Sequence, residues 1–219
     1  MKKFIYRYAI FTAVLILLLS ITGCQTAYYK TMEKFGVHKR DIMVDRVNEA
    51  RDSQEEAKEQ FASALEQFSS VLNFKGGTLE EKYKKLNDEY EKSEKKAEDV
   101  KGRIESVENV SEALFDEWKD ELDQYTSDSL RRSSEKKLRQ TKKQYAQLIS
   151  AMKRVEKKID PVLSVFRDQV LFLKHNLNAQ AIASLKSELA SVEMEVASLI
   201  KEMEASIAEA DKFIKTMPQ

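Results

Sequence analysis

The chain has 219 residues, with 37 basic and 37 acidic side chains, two histidines and one cysteine. Balanced charge argues against a nucleic-acid binder, which needs a clustered basic excess, and one thiol excludes an internal disulfide or a thiolate metal site. Five glycines and two prolines in a chain that is 34% charged, with no alternating runs, are the composition of long helices.

The first 23 residues read as an export signal. Lys2, Lys3 and Arg7 lead an apolar stretch from Ala9 to Leu19, and small residues precede Cys24. The run Ile21-Thr22-Gly23-Cys24 resembles a bacterial lipobox, which implies thioether lipidation of Cys24 and cleavage just before it. Read instead as an uncleaved anchor, Ile5 to Ile21 would barely span a bilayer, and it contains Arg7. Removing the signal takes away three basic residues and no acidic one, leaving 34 basic against 37 acidic. Residues 24–36 are then a lipidated tether, and residues 37–217 the folded body.

The first long helix is expected from about Val37 to Phe74, with a seam of Ile42, Val47, Ala50, Ala57, Phe61, Ala64, Phe68 and Val71 and with Gln54 on it. Gly76-Gly77 ends it, and Thr78 with Glu81 forms a capping box for the next helix. That second helix carries the strongest periodicity. Leu79, Tyr83, Leu86, Tyr90, Ser93, Ala97, Val100, Ile104, Val107, Ser111, Leu114 and Trp118 alternate at spacings of four and three, a sustained coiled-coil heptad.

A break near 125–129 leads into a third helix whose seam runs from Leu138 through Tyr145, Met152, Ile159 and Phe166 to Leu177. Asp160-Pro161 reads as a start signal, so this helix is expected to kink or restart there. The middle of 168–177 is apolar on nearly all faces, which predicts enclosure by other helices or by a second copy. Asn176-Leu177-Asn178 turns the chain into a fourth helix with Ile182, Leu185, Leu189, Val192, Val196, Leu199, Met203 and Ala210 on its seam and Ser206 among them.

Short turns make the helices antiparallel. The expected fold is all-α, an elongated up-down-up-down four-helix bundle with lengths of roughly 38, 47, 48 and 35 residues. Because the middle pair is longer, residues 116–140 should project as a two-helix arm at the tether's end. Its limbs differ in charge. Glu112 to Gln124 holds six acidic residues and one lysine, whereas Ser127 to Lys143 holds seven basic and two acidic ones. Either the limbs neutralise each other, Asp123 near Arg132 and Asp116 near Arg139, or Arg131, Arg132, Lys136 and Lys137 offer a surface to lipid headgroups or anionic envelope polymers. Phe115, Trp118 and Leu122 are expected on the seam, with membrane contact the alternative.

No catalytic, cofactor or metal site is expected. His38 and His175 fall at opposite ends, on the order of 50 Å apart, and no nucleotide loop or zinc-ligand spacing is present. The runs Gly36 to Asp41, Glu55 to Phe68, Leu130 to Ser134 and, above all, Phe166 to Leu185 resemble a family of uncharacterised Gram-negative envelope lipoproteins, a domain of unknown function. The resemblance implies a helical, coiled-coil-rich lipoprotein and supplies no activity. Gln25 after the lipidated cysteine points to the outer membrane, facing the periplasm. The expected partners are the membrane, through lipid on Cys24, and an envelope protein or a second copy of this chain.

Overall fold

The computed structural model describes residues 32, 36–72, 78–176 and 178–217. Cys24, the export signal, Gly76-Gly77, Leu177 and Pro218 lie outside them. Four helices make up the described body: α1 (Lys39–Leu72), α2 (Leu79–Leu122), α3 (Asp128–His175) and α4 (Ala179–Thr216). Each packs along its neighbours in sequence, and α1 closes the ring against α4. The architecture is the all-α bundle that the composition and spacing predict.

The helix starts follow from local chemistry. Thr78 is extended and its Oγ1 accepts from the Glu81 amide at 3.3 Å. Ser127 and Asn178 cap α3 and α4, with Asn178 Oδ1 accepting from the Ala181 amide at 2.9 Å. Each side-chain oxygen satisfies one of the amides that a helix start leaves without an intrahelical partner. Gly36 precedes α1 at φ 81°, a left-handed conformation that a β-carbon would strain.

The seams meet in one continuous core. All eight apolar seam residues of α1 are buried, and so are Met43 and Leu72, which extend the stripe sideways. Phe61 stacks on Phe166 with ring centroids 6.4 Å apart and planes 14° apart, joining α1 and α3 across the bundle centre. Gln54 on the seam is fully buried, its Nε2 donating to the Ala50 carbonyl at 3.1 Å. Ser93 and Ser111 turn their hydroxyls back onto the carbonyls of Glu89 and Glu108, at 2.8 and 2.7 Å, which is how a serine is accommodated on a buried helix face.

Three expectations are corrected. The third helix does not restart at Pro161: α3 runs unbroken from Asp128 to His175. Pro161 is exposed while Ile159 and Val162 on either side are buried, so the backbone bond that proline removes faces water and the core contacts hold the helix. Enclosure of 168–177 by the other helices of the same chain is also not what forms. Val170 and Leu173 are buried, but Leu171 and Phe172 are 45% and 39% exposed. The heptad turns only two of those four inward. The arm is shorter than expected, as the next subsection shows.

Candidate functional site

The end of the bundle where α1 begins brings charged and apolar side chains together around a groove. Here Lys39, mostly buried, donates to Glu117 at 2.7 Å, which fixes the start of α1 against α2. Met217, just past α4, reaches the same level, and with His38, Arg40, Leu114, Trp118, Glu121 and Lys137 it lines an open groove of about 410 Å³. The groove shows that α1 and α4 extend to Trp118 and Lys137. The projecting hairpin therefore comprises about 119–136 and not 116–140, because the start of α1 packs against Glu117 and Trp118 and Met217 reaches the level of Lys137.

Below the arm the packing is firm. Phe115 and Leu138 are buried, and Phe115 meets Tyr145 edge to face at 5.4 Å. The Lys142 ammonium lies 5.3 Å from the Phe115 ring centroid. Burial pushes the Tyr145 phenol above its ordinary pKa. Trp118 and Leu122 are half-buried, and Trp118 Nε1 donates to Ser134 Oγ at 2.8 Å, tying the two limbs. Phe115, Trp118 and Leu122 are thus the seam residues their spacing predicted. Beyond them the tip exposes two large apolar side chains, Tyr125 at 42% and Leu130 at 59%.

The neutralising pairs across the hairpin do not form. Arg131 lies 3.8 Å from Asp128 and Arg139 2.5 Å from Glu135, both within α3. Asp116 on α2 and Asp123 at its C-cap are exposed, as are Arg139 and Arg132, and no ion pair joins them across the hairpin. Of the four basic residues singled out, Arg132 and Lys136 point to solvent, Arg131 is occupied by Asp128, and Lys137 borders the groove.

Elsewhere the ionisable groups bind the helices to one another. Glu89 on α2 accepts from Gln60 at 2.7 Å and Ser63 at 3.2 Å on α1, and pairs with Lys92 at 2.7 Å. Burial works against its charge, but these donors prevail and hold its pKa below the usual carboxylate value. The Tyr90 phenol is pushed up to about 12 by burial and by its hydrogen bond to Glu94. Lys101–Asp160 at 2.6 Å and Lys153–Glu108 at 2.7 Å join α2 to α3, and Arg51–Asp211 at 3.1 Å joins α1 to α4.

His38 at the groove and His175 at the end of α3 lie at opposite ends of the body, as their positions predict. Among the described residues no cluster of His, Cys, Asp or Glu has the arrangement of a metal site, and no helix is long and apolar enough to cross a membrane. The groove itself was not legible in the sequence. It depends on Met217 and His38, far apart in the chain, arriving at the same height as Trp118.

Residues 28–217 match the family described as "Protein of unknown function (DUF2959)", and the chain belongs to it. No curated protein matches the chain.

Proposed function

We propose that this member of the DUF2959 family is a bacterial envelope lipoprotein, anchored through Cys24, that acts as a structural or protein-interaction module and not as an enzyme. The observation that supports this reading is how the seams are used. Four apolar stripes bury one another along the whole body, while the outside is a charged surface crossed by interhelical ion pairs. Such a body is a spacer or a docking rod. Its α1 end is also its arm end, and the twelve residues from Gln25 to Gly36 can hold that end no farther than about 40 Å from an acyl anchor on Cys24. Gln25 favours the outer membrane, with the rod in the periplasm.

Membrane fractionation of cells producing the full chain tests the anchor. The wild-type chain is expected in the membrane fraction at a mass lacking 23 residues, and the Cys24→Ala chain at its unprocessed mass. Equal processing of both would remove the reading.

A second reading, binding of lipid or an anionic envelope polymer by the arm at 130–143, draws support from the exposed Arg132 and Lys136, which face solvent without a carboxylate at salt-bridge distance among the described residues. Co-sedimentation of the full chain with anionic against neutral vesicles tests it. Changing Arg131, Arg132, Lys136 and Lys137 to Glu should abolish any preference for the anionic ones. A preference that survives those changes would dismiss it.

A further inference from the structure

Two stripes of opposite charge run side by side along the outside of α2 and α3. Glu112 and Asp116 on α2 and Asp123 at its C-cap are exposed, and Arg132, Arg139 and Lys143 are exposed on α3. The stripes do not satisfy each other within the chain. The two helices meet here through Phe115, Tyr145 and Lys142, and of the six residues only Arg139 forms an ion pair among the described residues, with Glu135 of its own helix. Lys119 is the one base in the acidic stripe.

The stripes are also level. Trp118 bonded to Ser134, and Phe115 packed on Tyr145, fix the register of the two helices. Because the helices are antiparallel, Asp123 then lies at the height of Arg132, Asp116 at that of Arg139, and Glu112 at that of Lys143.

We propose that this face docks on the same face of a second copy, about a twofold axis parallel to the helices. Such an axis lays α2 of one copy over α3 of the other at equal height. Asp123, Asp116 and Glu112 of each copy then meet Arg132, Arg139 and Lys143 of the other, so every pair occurs twice by symmetry; Lys119 falls level with Lys136, a like-charged contact set against three opposite-charged ones. An axis across the helices would lay acid on acid. A long polyanion would find the acidic stripe beside the basic one, and like charge along half its path. The parallel twofold also leaves both chain starts at one end, as two chains anchored in one membrane require. This inference rests on the interaction-module reading above and names its partner; the charge match itself is independent of Cys24.

Exposed ion pairs each contribute little, so the association is weak and salt-sensitive. Sedimentation velocity of the full chain in non-ionic detergent tests it. At about 20 mM salt a concentration-dependent dimer is expected, with its dissociation constant rising at least about tenfold by 300 mM. Arg132→Glu with Arg139→Glu should give a monomer, and so should Asp116→Lys with Asp123→Lys. Mixing the two variants should restore the dimer. Far-ultraviolet circular dichroism of both should match the wild type, since the four residues are exposed.

A wild-type monomer at low salt, variants that dimerise as before, or a mixture that stays monomeric would each overturn the proposal. So would loss of helicity in both variants together with an unchanged dimer when Glu112→Lys and Lys143→Glu are each tested alone instead. Failure of lipidation at Cys24 would leave these results untouched, so the two claims fail separately.

Discussion

Phe61 is where the packing account is most exposed to measurement. Its ring and that of Phe166 are almost completely inaccessible and stack across the bundle centre. Phe61→Ala returns roughly 100 Å² of apolar surface to the reckoning, about 2.5 kcal/mol at 25 cal/mol per Å². A residual cavity of roughly 70 Å³ adds about 1.7 kcal/mol. The expected loss is therefore about 4 kcal/mol, which for a body of this size lowers Tm by about 10 °C. Phe61→Leu, which keeps most of the volume, should cost about 1 kcal/mol. A double-mutant cycle with Phe166→Ala should return a coupling of about 0.5–1.5 kcal/mol for the stacked rings. Urea melts followed by circular dichroism measure all three. A cost below about 1 kcal/mol for Phe61→Ala, or additive single changes, would refute the contact between α1 and α3.

Three further outcomes are expected. Pro161→Ala should stabilise the protein by about 1–3 kcal/mol, because α3 runs through an exposed interior proline; a loss of stability in thermal melts would show that the proline shapes the helix. Glu89 has a depressed pKa in the folded state, so the stability it supplies is complete above its ordinary value of about 4.5 and fades as pH falls through the lower folded value. The stability gap between wild type and Glu89→Gln in urea melts should thus be present at pH 7 and shrink by pH 3; a gap independent of pH would contradict the assignment. Trp118→Phe removes the bond to Ser134 at the arm's base and should cost about 0.5–1.5 kcal/mol. Amide exchange should then quicken across 130–138 and not across 150–170, and uniform quickening would mean that Trp118 supports the whole body.

Much of the fold was legible because the chain repeats one signal. The heptad in α2 and the seam of α1 name the buried residues directly, and Thr78 and Asn178 mark helix starts through chemistry that acts within four residues. What escaped depends on contacts between segments distant in sequence. Met43 and Leu72 are buried because the bundle encloses more of α1 than a narrow seam, and a heptad reading stops at two positions in seven. Leu171 and Phe172 look like core by composition, but the period turns them outward. Asp160-Pro161 carries a start signal that packing at Ile159 and Val162 overrules. In the arm, the charge split was visible while the pairing was not. Pairing requires facing positions, and Asp116 and Asp123 stand exposed without joining Arg139 or Arg132. The groove at Trp118 was invisible for a related reason, since the reach of α4 decides it.

The measurement that bears most directly on the proposed role is mass spectrometry of the chain's amino-terminal peptide from membranes of producing cells. The account predicts a peptide beginning at Cys24, heavier by a thioether-linked diacylglycerol. An unmodified cysteine in a chain that keeps its first 23 residues would contradict it.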